Sequence, residues 1–285
     1  MGEQLRRNKQ KLVLLTVVVV NILIWSFFFS LPDKKLHLKF YDVGQGDSIF
    51  LETAAGFKIL IDGGPDNKVL EYLGKDLPFY SRQIDLLILT HPQADHLTGL
   101  LEVIKRYHIK TLWISSAKEK TKLFQEWDSM LKQSKVATTI VYQGNRFIFP
   151  DKTEIAVLWP KKEVSYTSDS NTASAVVQVS FGEFDAILTG DADSSVQPFT
   201  TDGRPIEVFK VPHHGSKTSI SEPFVSSLKP AVSIISVGAK NRYGHPSPQV
   251  INFLSSIGSK IYRTDINSTV EIVSDGKNWQ VSSFK

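Results

Sequence analysis

The sequence predicts an α/β domain behind a single apolar helix near the N-terminus. Two observations predict this arrangement. Short apolar runs with the character of buried strands alternate along the chain with stretches of helical periodicity. Ahead of them, residues 12–32 carry no charge and form a run long enough to cross a bilayer as a helix. Since neither an internal repeat nor a long linker interrupts the rest, we expect one domain over residues 36–285.

The composition excludes several kinds of chemistry. The chain has 285 residues, of which 41% are apolar and 22% charged, as in an ordinary globular protein. It holds no cysteine, which excludes disulfides, thiolate metal ligands and cysteine nucleophiles. Any bound metal must therefore use His, Asp, Glu or a neutral oxygen. The net charge of +4 suits a polyanionic partner or an anionic membrane surface.

The charges around the apolar run predict its orientation. Four basic residues precede it and two follow it: Arg6, Arg7, Lys9 and Lys11 before, Lys34 and Lys35 after. By the positive-inside rule, residues 1–11 are a cytoplasmic tail, residues 12–32 a transmembrane anchor, and the rest lies outside the cytoplasm. A cleaved signal peptide is the alternative, but its apolar core usually spans only about 7–15 residues. We therefore expect a single-pass protein of the cell membrane.

Apolar and alternating runs predict the strands, and helical spacing predicts the helices. The predicted strands are residues 36–41, 48–51, 57–61, 86–89, 111–115, 145–150, 153–158, 175–181, 206–211, 231–237, 260–262 and 270–273. A helix is expected from residue 97 onward, and two more over residues 118–133 and 248–257. Residues 165–172 are polar and are expected to form a loop.

One strand-to-helix turn concentrates candidate ligands. The sequence THPQADHLTG, residues 90–99, follows the buried run 86–89 and leads into the helical spacing behind it. Its two histidines and one aspartate are nitrogen and oxygen ligands suited to Zn²⁺, Mn²⁺ or iron. The alternative is that Asp95 caps the helix and that the histidines are ordinary polar loop residues.

Other polar residues in similar positions favour the metal centre. Five of the seven histidines lie in short polar turns that follow apolar runs: His91, His96, His213, His214 and His245. Asp62 and Asp191 end apolar runs in the same way. Functional groups gather on loops at one end of a sheet because the sheet holds those loops rigidly. A metal centre is therefore the working hypothesis.

The order of five short motifs carries a family resemblance. They are DVGQGDS at 42–48, IDGG at 61–64, THPQADH at 90–96, LTGD at 188–191 and VPHHGS at 211–216. This order resembles that of the metallo-β-lactamase-fold hydrolases and, more narrowly, the soluble hydrolase domain of the ComEC DNA-uptake proteins. Over about residues 36–283 the resemblance implies a four-layer αββα sandwich with metals at one edge of its two sheets. Because only one hydrophobic span replaces the multi-helix channel of ComEC, we expect a hydrolase domain tethered by a single helix.

The resemblance also implies a set of metal ligands. His91 would serve a first site, and the remaining ligands would form a second site: Asp95, His96, Asp191 and His214. Gln93 stands where the family has another histidine in the central turn. A further family histidine, usual between this turn and the bridging aspartate, has no match here, and Asn171 is the nearest polar residue that could replace it. An amide oxygen is a weak ligand for Zn²⁺ and suits a harder ion better. One or two divalent ions, Zn²⁺ or Mn²⁺, are expected.

Several neighbouring residues are given supporting roles. His213 and His214 both stay candidates for the last histidine ligand, with His214 preferred and His213 left for proton transfer. Asp62 resembles the family aspartate that orients the central turn. Asp47, in a tight turn with two glycines, is expected to contact the ligands, although it could also be an ordinary turn residue. Asp193 is expected only to cap a helix.

Catalytic and substrate-binding roles complete the hypothesis. Asp95, His213 and His245 are the candidate catalytic residues, and Ser216, Lys217 and Arg242 are the candidate phosphate-binding residues, with solvated surface charge as the alternative for the two cations. The expected activity is that of a metal-dependent phosphodiesterase or nuclease acting on DNA in DNA uptake. Its partners would be a phosphodiester such as DNA and the membrane. The alternatives are a hydrolase of a phosphocholine ester, lactone or lactam, and a surface binding module that has lost catalysis.

Overall fold

Two β-sheets packed face to face form the centre of the protein. The computed structural model describes residues 2–29, 31–78, 80–164, 169–201 and 203–284, so the predicted loop 165–172 lies partly outside the described residues. In chain order the strands are β1 Leu36–Phe40, β2 Ile49–Glu52, β3 Lys58–Ile61, β4 Gln83–Leu89, β5 His108–Ile114, β6 Ala137–Ile140, β7 Arg146–Ile148, β8 Glu154–Trp159, β9 Val176–Phe181, β10 Phe184–Leu188, β11 Val208–Lys210, β12 Val232–Ile235, β13 Lys260–Arg263, β14 Thr269–Ser274 and β15 Trp279–Phe284.

Both sheets are mixed, and each contains four consecutive parallel strands. The first has the order β15-β14-β1-β2-β3-β4-β5-β6, and the second has the order β13-β12-β11-β10-β9-β8-β7. Strands β3 to β6 run parallel in the first sheet, and β10 to β13 run parallel in the second. The carboxyl ends of parallel strands are where ligand sites form in α/β sheets. Each sheet therefore offers one such edge.

Helices cover the outer face of each sheet. In chain order the helices are α1 Gly2–Phe29, α2 Lys68–Asp76, α3 Ala94–Arg106, α4 Lys122–Gln133, α5 Glu222–Leu228, α6 Pro248–Ser256 and α7 Thr264–Asn267. Helix α1 is exposed and covers neither sheet. Side chains of α2, α3 and α4 pack on the first sheet, and those of α5 and α6 pack on the second. A third apolar cluster fills the space between the sheets, with Leu38, Ile59, Val177 and Val208 among its members. The predicted four-layer αββα sandwich is confirmed.

The burial of single strands follows from these layers. Strand β4 is buried from Ile84 to Leu89 because a helix covers one of its faces and the other sheet covers the opposite face. By contrast, β6 lies at the edge of the first sheet with all its side chains exposed. Strands β6 and β15 and helix α2 were not predicted. The side chains of β6 are exposed, so this strand has no apolar pattern in the sequence.

The helix boundaries differ from the sequence expectations at several ends. Helix α3 begins at Ala94 rather than at residue 97, and α6 ends at Ser256 rather than at residue 257. Helix α4 begins at Lys122 rather than at residue 118, because the Thr121 side chain accepts a hydrogen bond from the backbone N–H of Phe124 and caps the helix there. Helix α1 ends at Phe29, before the predicted end at residue 32. Within the described residues, Arg6–Ser26 of α1 is the one stretch of helix long and apolar enough to cross a membrane.

Candidate metal centre

Loops after parallel strands of both sheets meet at one edge of the sandwich. From the first sheet, Asp62 follows β3 and residues 90–96 follow β4; from the second, Asp191 follows β10 and the His213–His214 pair follows β11. The loop of residues 240–247, which carries His245, connects β12 to α6. The fold thus brings distant polar residues to one place.

Asp62 fixes the central turn. One of its carboxylate oxygens accepts a hydrogen bond from the backbone N–H of Thr90 at 2.8 Å, and the other accepts one from the Thr90 hydroxyl at 2.6 Å. The second oxygen also lies 2.8 Å from Nδ1 of His96. Because Nδ1 is committed to a carboxylate, Nε2 is the nitrogen of His96 that faces the centre. Asp62 is fully buried, and this burial raises its pKa.

Glycines allow the neighbouring turns to approach closely. Gly99 sits in the first turns of α3, where a side chain would collide with the Gly63 carbonyl, and its N–H donates to Gly64 O at 3.1 Å. A side chain at Gly46 would collide with the carbonyl of Asp95. The helix that carries His96 is therefore held against the two glycine-bearing turns by backbone contacts.

Four side chains converge on a common point. Asp95, His96, Asp191 and His214 each offer a ligand atom, and these atoms all lie within 4.8 Å of one another. His96 Nε2 is 3.3 Å from Asp191 Oδ1, and His214 Nε2 is 3.2 Å from Asp95 Oδ2. His214 Nδ1 donates to the carbonyl of Ser236 at 2.8 Å, which leaves Nε2 facing the cluster. Two imidazoles and two carboxylates in this arrangement are a donor set for a divalent transition metal.

Buried polar atoms without partners test whether a metal fits here. Both carboxylate oxygens of Asp191 and Nε2 of His91 and His96 are buried and make no hydrogen bond within the described part of the chain. Buried polar groups in proteins are nearly always hydrogen-bonded, and exceptions need an explanation such as an ion. These atoms all belong to predicted metal ligands. The residues present therefore fit a divalent cation.

The charges of the cluster are strongly coupled. Burial opposes the charged form of His96, but the carboxylates of Asp191 and Asp62 outweigh it and hold the pKa of His96 well above its usual value. Burial likewise opposes ionisation of Asp191, but His96 and His214 outweigh it and hold the pKa of Asp191 well below its usual value. His91 differs, since burial and the nearby His96 lower its pKa to about 3. At neutral pH its imidazole is uncharged.

Most of the chain matches the model of a known protein family. Residues 41–239 match the family model described as the metallo-beta-lactamase superfamily. The chain belongs to this superfamily. The match extends from the end of β1 to just beyond β12, and it includes the loops that carry Asp62, the central turn, Asp191 and His214.

Competence proteins are among the relatives of this superfamily member, which is 26% identical to Competence protein ComA of Neisseria gonorrhoeae over 252 residues, covering 85% of this chain and 33% of the relative. It is 29% identical to ComE operon protein 3 of Bacillus subtilis over 295 residues, which cover 93% of this chain and 36% of the relative. It is 30% identical over 236 residues to Recombination protein 2 of Haemophilus influenzae, covering 81% of this chain and 28% of the relative. The chain therefore spans about a third of the length of these relatives. It is a metallo-β-lactamase-fold protein related to competence proteins, and the superfamily match supports a metal-dependent hydrolase.

A solved structure supports the fold alone. CmlA, a diiron β-hydroxylase from Streptomyces venezuelae, superposes with a TM-score of 0.53 at 14% identity, covering 87% of this chain and 54% of that chain. At this identity the likeness concerns only the architecture.

The side of the centre around His91 has fewer donors. His91 Nε2 is 3.9 Å from Asp191 Oδ2. Gln93 does not contact the cluster through its amide nitrogen, because that nitrogen donates to Asn171 Oδ1 at 2.7 Å and to Ser170 Oγ at 2.9 Å. Gln93 and Asn171, the two polar residues considered as replacements for family histidines, are thus hydrogen-bonded to each other. Gln93 also borders a cleft that opens over the centre.

That cleft collects part of the predicted substrate-binding set. It measures about 440 Å³ and its walls include His213, His214, Arg242 and His245. Ser216 and Lys217 are not among its described lining residues; Ser216 is buried and Lys217 is exposed. The structure places His214 in the ligand cluster and His213 on the cleft wall. Asp193 accepts a hydrogen bond from the N–H of Ser195 and caps a 3₁₀ turn, Ser194–Val196.

A buried lysine lies behind the centre and was not predicted from the sequence. Lys210, the last residue of β11, is fully buried and forms an ion pair with Asp47. Its ammonium also donates to the carbonyl of Gly190 at 2.7 Å and lies 3.9 Å from Asp191 Oδ1. Asp47 in turn lies 3.7 Å from His214 Nδ1 and 3.9 Å from His96 Nδ1. The signal in the sequence was a charge inside an apolar strand just before the histidine pair.

Proposed function

We propose that this chain is a membrane-anchored, metal-dependent phosphodiesterase that cleaves DNA in connection with DNA uptake. The observation that carries the proposal is the cluster of Asp95, His96, Asp191 and His214, which opens into a cleft with cationic and imidazole groups. Within it, Nε2 of His96 and both carboxylate oxygens of Asp191 are buried and make no hydrogen bond among the described residues. The relationship to a competence protein and to a recombination protein supports DNA as the substrate.

The ligand residues define what a metal would supply. Asp95, His96, Asp191 and His214 would hold one ion, and His91 would serve a second ion together with Asp191. A bound divalent cation lowers the pKa of its coordinated water toward about 7 and stabilises charge on phosphoryl oxygens. Asp62 and the Ser236 carbonyl keep His96 and His214 oriented with Nε2 toward the ion.

The remaining residues would bind and protonate the substrate. Arg242 is exposed on the cleft wall, where its guanidinium would pair with a phosphate oxygen. Nδ1 of His213 and of His245 is buried with no hydrogen-bond partner among the described residues. Burial and the neighbouring His214 and His213 lower the pKa of His245, which favours its neutral form as a proton acceptor. We assign proton transfer to these two imidazoles and keep Lys217 as a more distant phosphate contact. Ser216 is not given this role, because it is buried and does not line the cleft.

The domain organisation is part of the same proposal. Residues 1–11 form a cytoplasmic tail, residues 12–32 the anchor, and residues 36–285 the hydrolase domain outside the cytoplasm. The apolar side chains of α1 are largely exposed to the surroundings of the protein, which supports insertion into lipid. Intact protein should remain with membranes through carbonate washing, and a chain beginning at residue 33 should be soluble. Recovery from the medium of a mature chain beginning after Pro32 would instead identify a cleaved signal peptide.

Hydrolysis assays test the activity. Purified protein with added Mn²⁺ or Zn²⁺ should cleave DNA and a chromogenic phosphodiester, and a chelator or the Asp191→Ala substitution should abolish both reactions. Preferential cleavage of a β-lactam or of a phosphocholine ester would contradict the DNA assignment. DNA binding without cleavage under every metal condition would instead identify a binding module.

A further inference from the structure

The loop of residues 240–247 presents an aromatic ring beside the metal centre. It connects β12 to α6 and begins where the family match ends, at residue 239. Of the described residues that line the cleft, Tyr243 is the only tyrosine, phenylalanine or tryptophan. Its side chain is 56% exposed, so most of its surface is open to a ligand.

The backbone of this loop is held in place by one side chain. The Asn241 amide nitrogen donates to the carbonyl of Gly238 at 3.0 Å and to that of His245 at 2.7 Å. Its oxygen accepts hydrogen bonds from the N–H groups of Tyr243 at 3.2 Å and of His245 at 3.0 Å. The four bonds close the loop around Asn241. Tyr243 is therefore presented by an ordered turn, which lowers the entropy lost when a ligand binds.

A chain of ring contacts joins Tyr243 to the ligand cluster. The rings of Tyr243 and His245 lie 5.6 Å apart and 24° from parallel. His245 contacts His213 at 5.9 Å, and His213 contacts His214 at 6.3 Å. Tyr243 is therefore at one end of this row of four rings, and the predicted metal ligand His214 is at the other end. A group stacked on Tyr243 would lie next to a phosphate held in the cleft.

The neighbouring charge selects the kind of ligand. Arg242 lies with its guanidinium carbon 5.0 Å from the Tyr243 ring centre and donates to the Tyr243 hydroxyl at 2.9 Å. A positive group there repels a quaternary ammonium headgroup and attracts a phosphate. An aromatic surface paired with a cation is the combination that holds a nucleobase together with its phosphate in proteins that bind single strands.

We propose that Tyr243, supported by Arg242, is a stacking platform for a nucleobase that flanks the phosphate to be cleaved. This inference rests on the proposed function, because it takes DNA as the ligand. It goes further in assigning preference for a single strand or a frayed end, since a base paired inside a duplex has no free face. Stacking reads the π-face that every base shares, so the platform confers no sequence preference.

Binding to strands with and without bases tests the platform. The probes are a labelled single-stranded oligothymidylate and a strand of equal length made of abasic residues, which has the same backbone charge. Full-length protein in detergent, with chelator to prevent turnover, should bind the base-bearing strand about 10- to 100-fold more tightly. Tyr243→Leu should remove that difference and leave the affinity for the abasic strand nearly unchanged, whereas Tyr243→Phe should retain it.

A matched substitution controls for general effects of losing an exposed tyrosine. Tyr80 is exposed to a similar extent and precedes β4, at the end of that strand opposite the metal centre. Tyr80→Leu should leave the preference for the base-bearing strand intact. Equal binding of the two strands by the unaltered protein would overturn the platform. A loss in Tyr243→Leu that is the same for both strands would also overturn it, because that pattern would indicate a purely structural role.

Cleavage of the same two strands separates this inference from the proposed function. If unaltered protein with Mn²⁺ binds the base-bearing strand preferentially but cleaves neither strand, the platform stands and the phosphodiesterase proposal fails. If it cleaves both strands with equal kcat/KM and binds them equally, the phosphodiesterase proposal stands and the platform fails. When both are correct, Tyr243→Leu raises KM for the base-bearing strand and leaves kcat within a small factor.

Discussion

The two sides of the metal centre share a turn but differ in what it supplies. On the His214 side, two imidazoles and two carboxylates meet within 4.8 Å. On the His91 side, one imidazole lies 3.9 Å from the shared Asp191, and the neighbouring Gln93 is bonded to Asn171. The backbone of residues 90–96 serves both sides. The difference therefore comes from the side chains and not from the fold.

The two sides of the metal centre differ in the charge of their ligands as well as in the number of ligands. His91 is uncharged at neutral pH because burial and His96 lower its pKa to about 3. Asp95 belongs to the His214 side; burial opposes its ionisation, but His214 and His96 hold its pKa well below the usual value. A cation on the His214 side would thus face two carboxylates, and one on the His91 side would face only the shared Asp191. We expect one tightly held ion and one weaker ion.

Loss of the shared aspartate should have the largest effect. Asp191→Ala removes a carboxylate from both sides, so it should abolish tight metal retention and hydrolysis together. Removing a residue that only hydrogen-bonds to a metal ligand lowers the metal affinity about 10–100-fold, so removing a ligand should lower it further. Metal content after gel filtration measures the first effect. His108→Ala is the control, because His108 is exposed on β5; undiminished metal in Asp191→Ala would refute the assignment.

Removal of the buried lysine should disturb the His214 side next. Lys210→Met leaves Asp47 buried without its partner, which should cost about 3–5 kcal/mol in the free energy of unfolding. Because Asp47 lies close to both His96 and His214, the tightly held ion should also be lost. Denaturant unfolding in chelator measures the stability, and chelator competition measures the affinity.

A double substitution shows whether the lysine acts through Asp47. Lys210→Met combined with Asp47→Asn should recover much of the lost stability, since no buried charge is left unpaired. Lys132→Met provides the surface control, because its pair with Asp128 is exposed and should contribute less than about 1 kcal/mol. Equal destabilisation in the single and double variants would show that Lys210 does not position the centre through Asp47.

Restoring a histidine should strengthen the weaker side. Gln93→His supplies an imidazole where the amide now bonds to Asn171 and Ser170. The affinity of the weaker site for Zn²⁺ should rise by about 10–100-fold, with the tightly held ion unaffected. Zn²⁺ titration against a competing chelator measures both sites. An unchanged second site would mean that position 93 does not face the ion.

Removal of the amide altogether should have the smallest effect. Gln93→Ala deletes a side chain that the cluster of four does not include, so the tight ion should lose less than about 10-fold in affinity. The same titration measures it. A larger loss would place Gln93 among the residues that support the His214 side and would remove the contrast between the two sides.

Much of the fold could be predicted because its central elements carry strong patterns. Strands such as β4 are buried on both faces and stand out as apolar runs. Asp62 directly follows such a run, and Asp191 lies three residues after another. The edge strand β6 has no buried face, so no hydrophobic periodicity marked it.

Contacts between distant residues were the part that sequence could not supply. Lys210 and Asp47 lie far apart along the chain, and only the packing of two sheets brings them together. The choice between His213 and His214 depends on the left-handed backbone of both residues, with φ of 48° and 54°, which turns one ring to the cluster and the other to the cleft. A pair of adjacent identical residues carries no such information in its sequence.

Counting the metal ions bound by the purified full-length chain tests directly whether the two sides of the centre differ. Equilibrium dialysis against Zn²⁺ and against Mn²⁺, each with a competing chelator, gives the number and affinity of the sites. We expect one tightly held ion per chain and a second ion bound at least about 10-fold more weakly, with the weaker site favouring Mn²⁺ over Zn²⁺. Two equally tight Zn²⁺ ions in the unaltered protein would contradict the unequal centre described above.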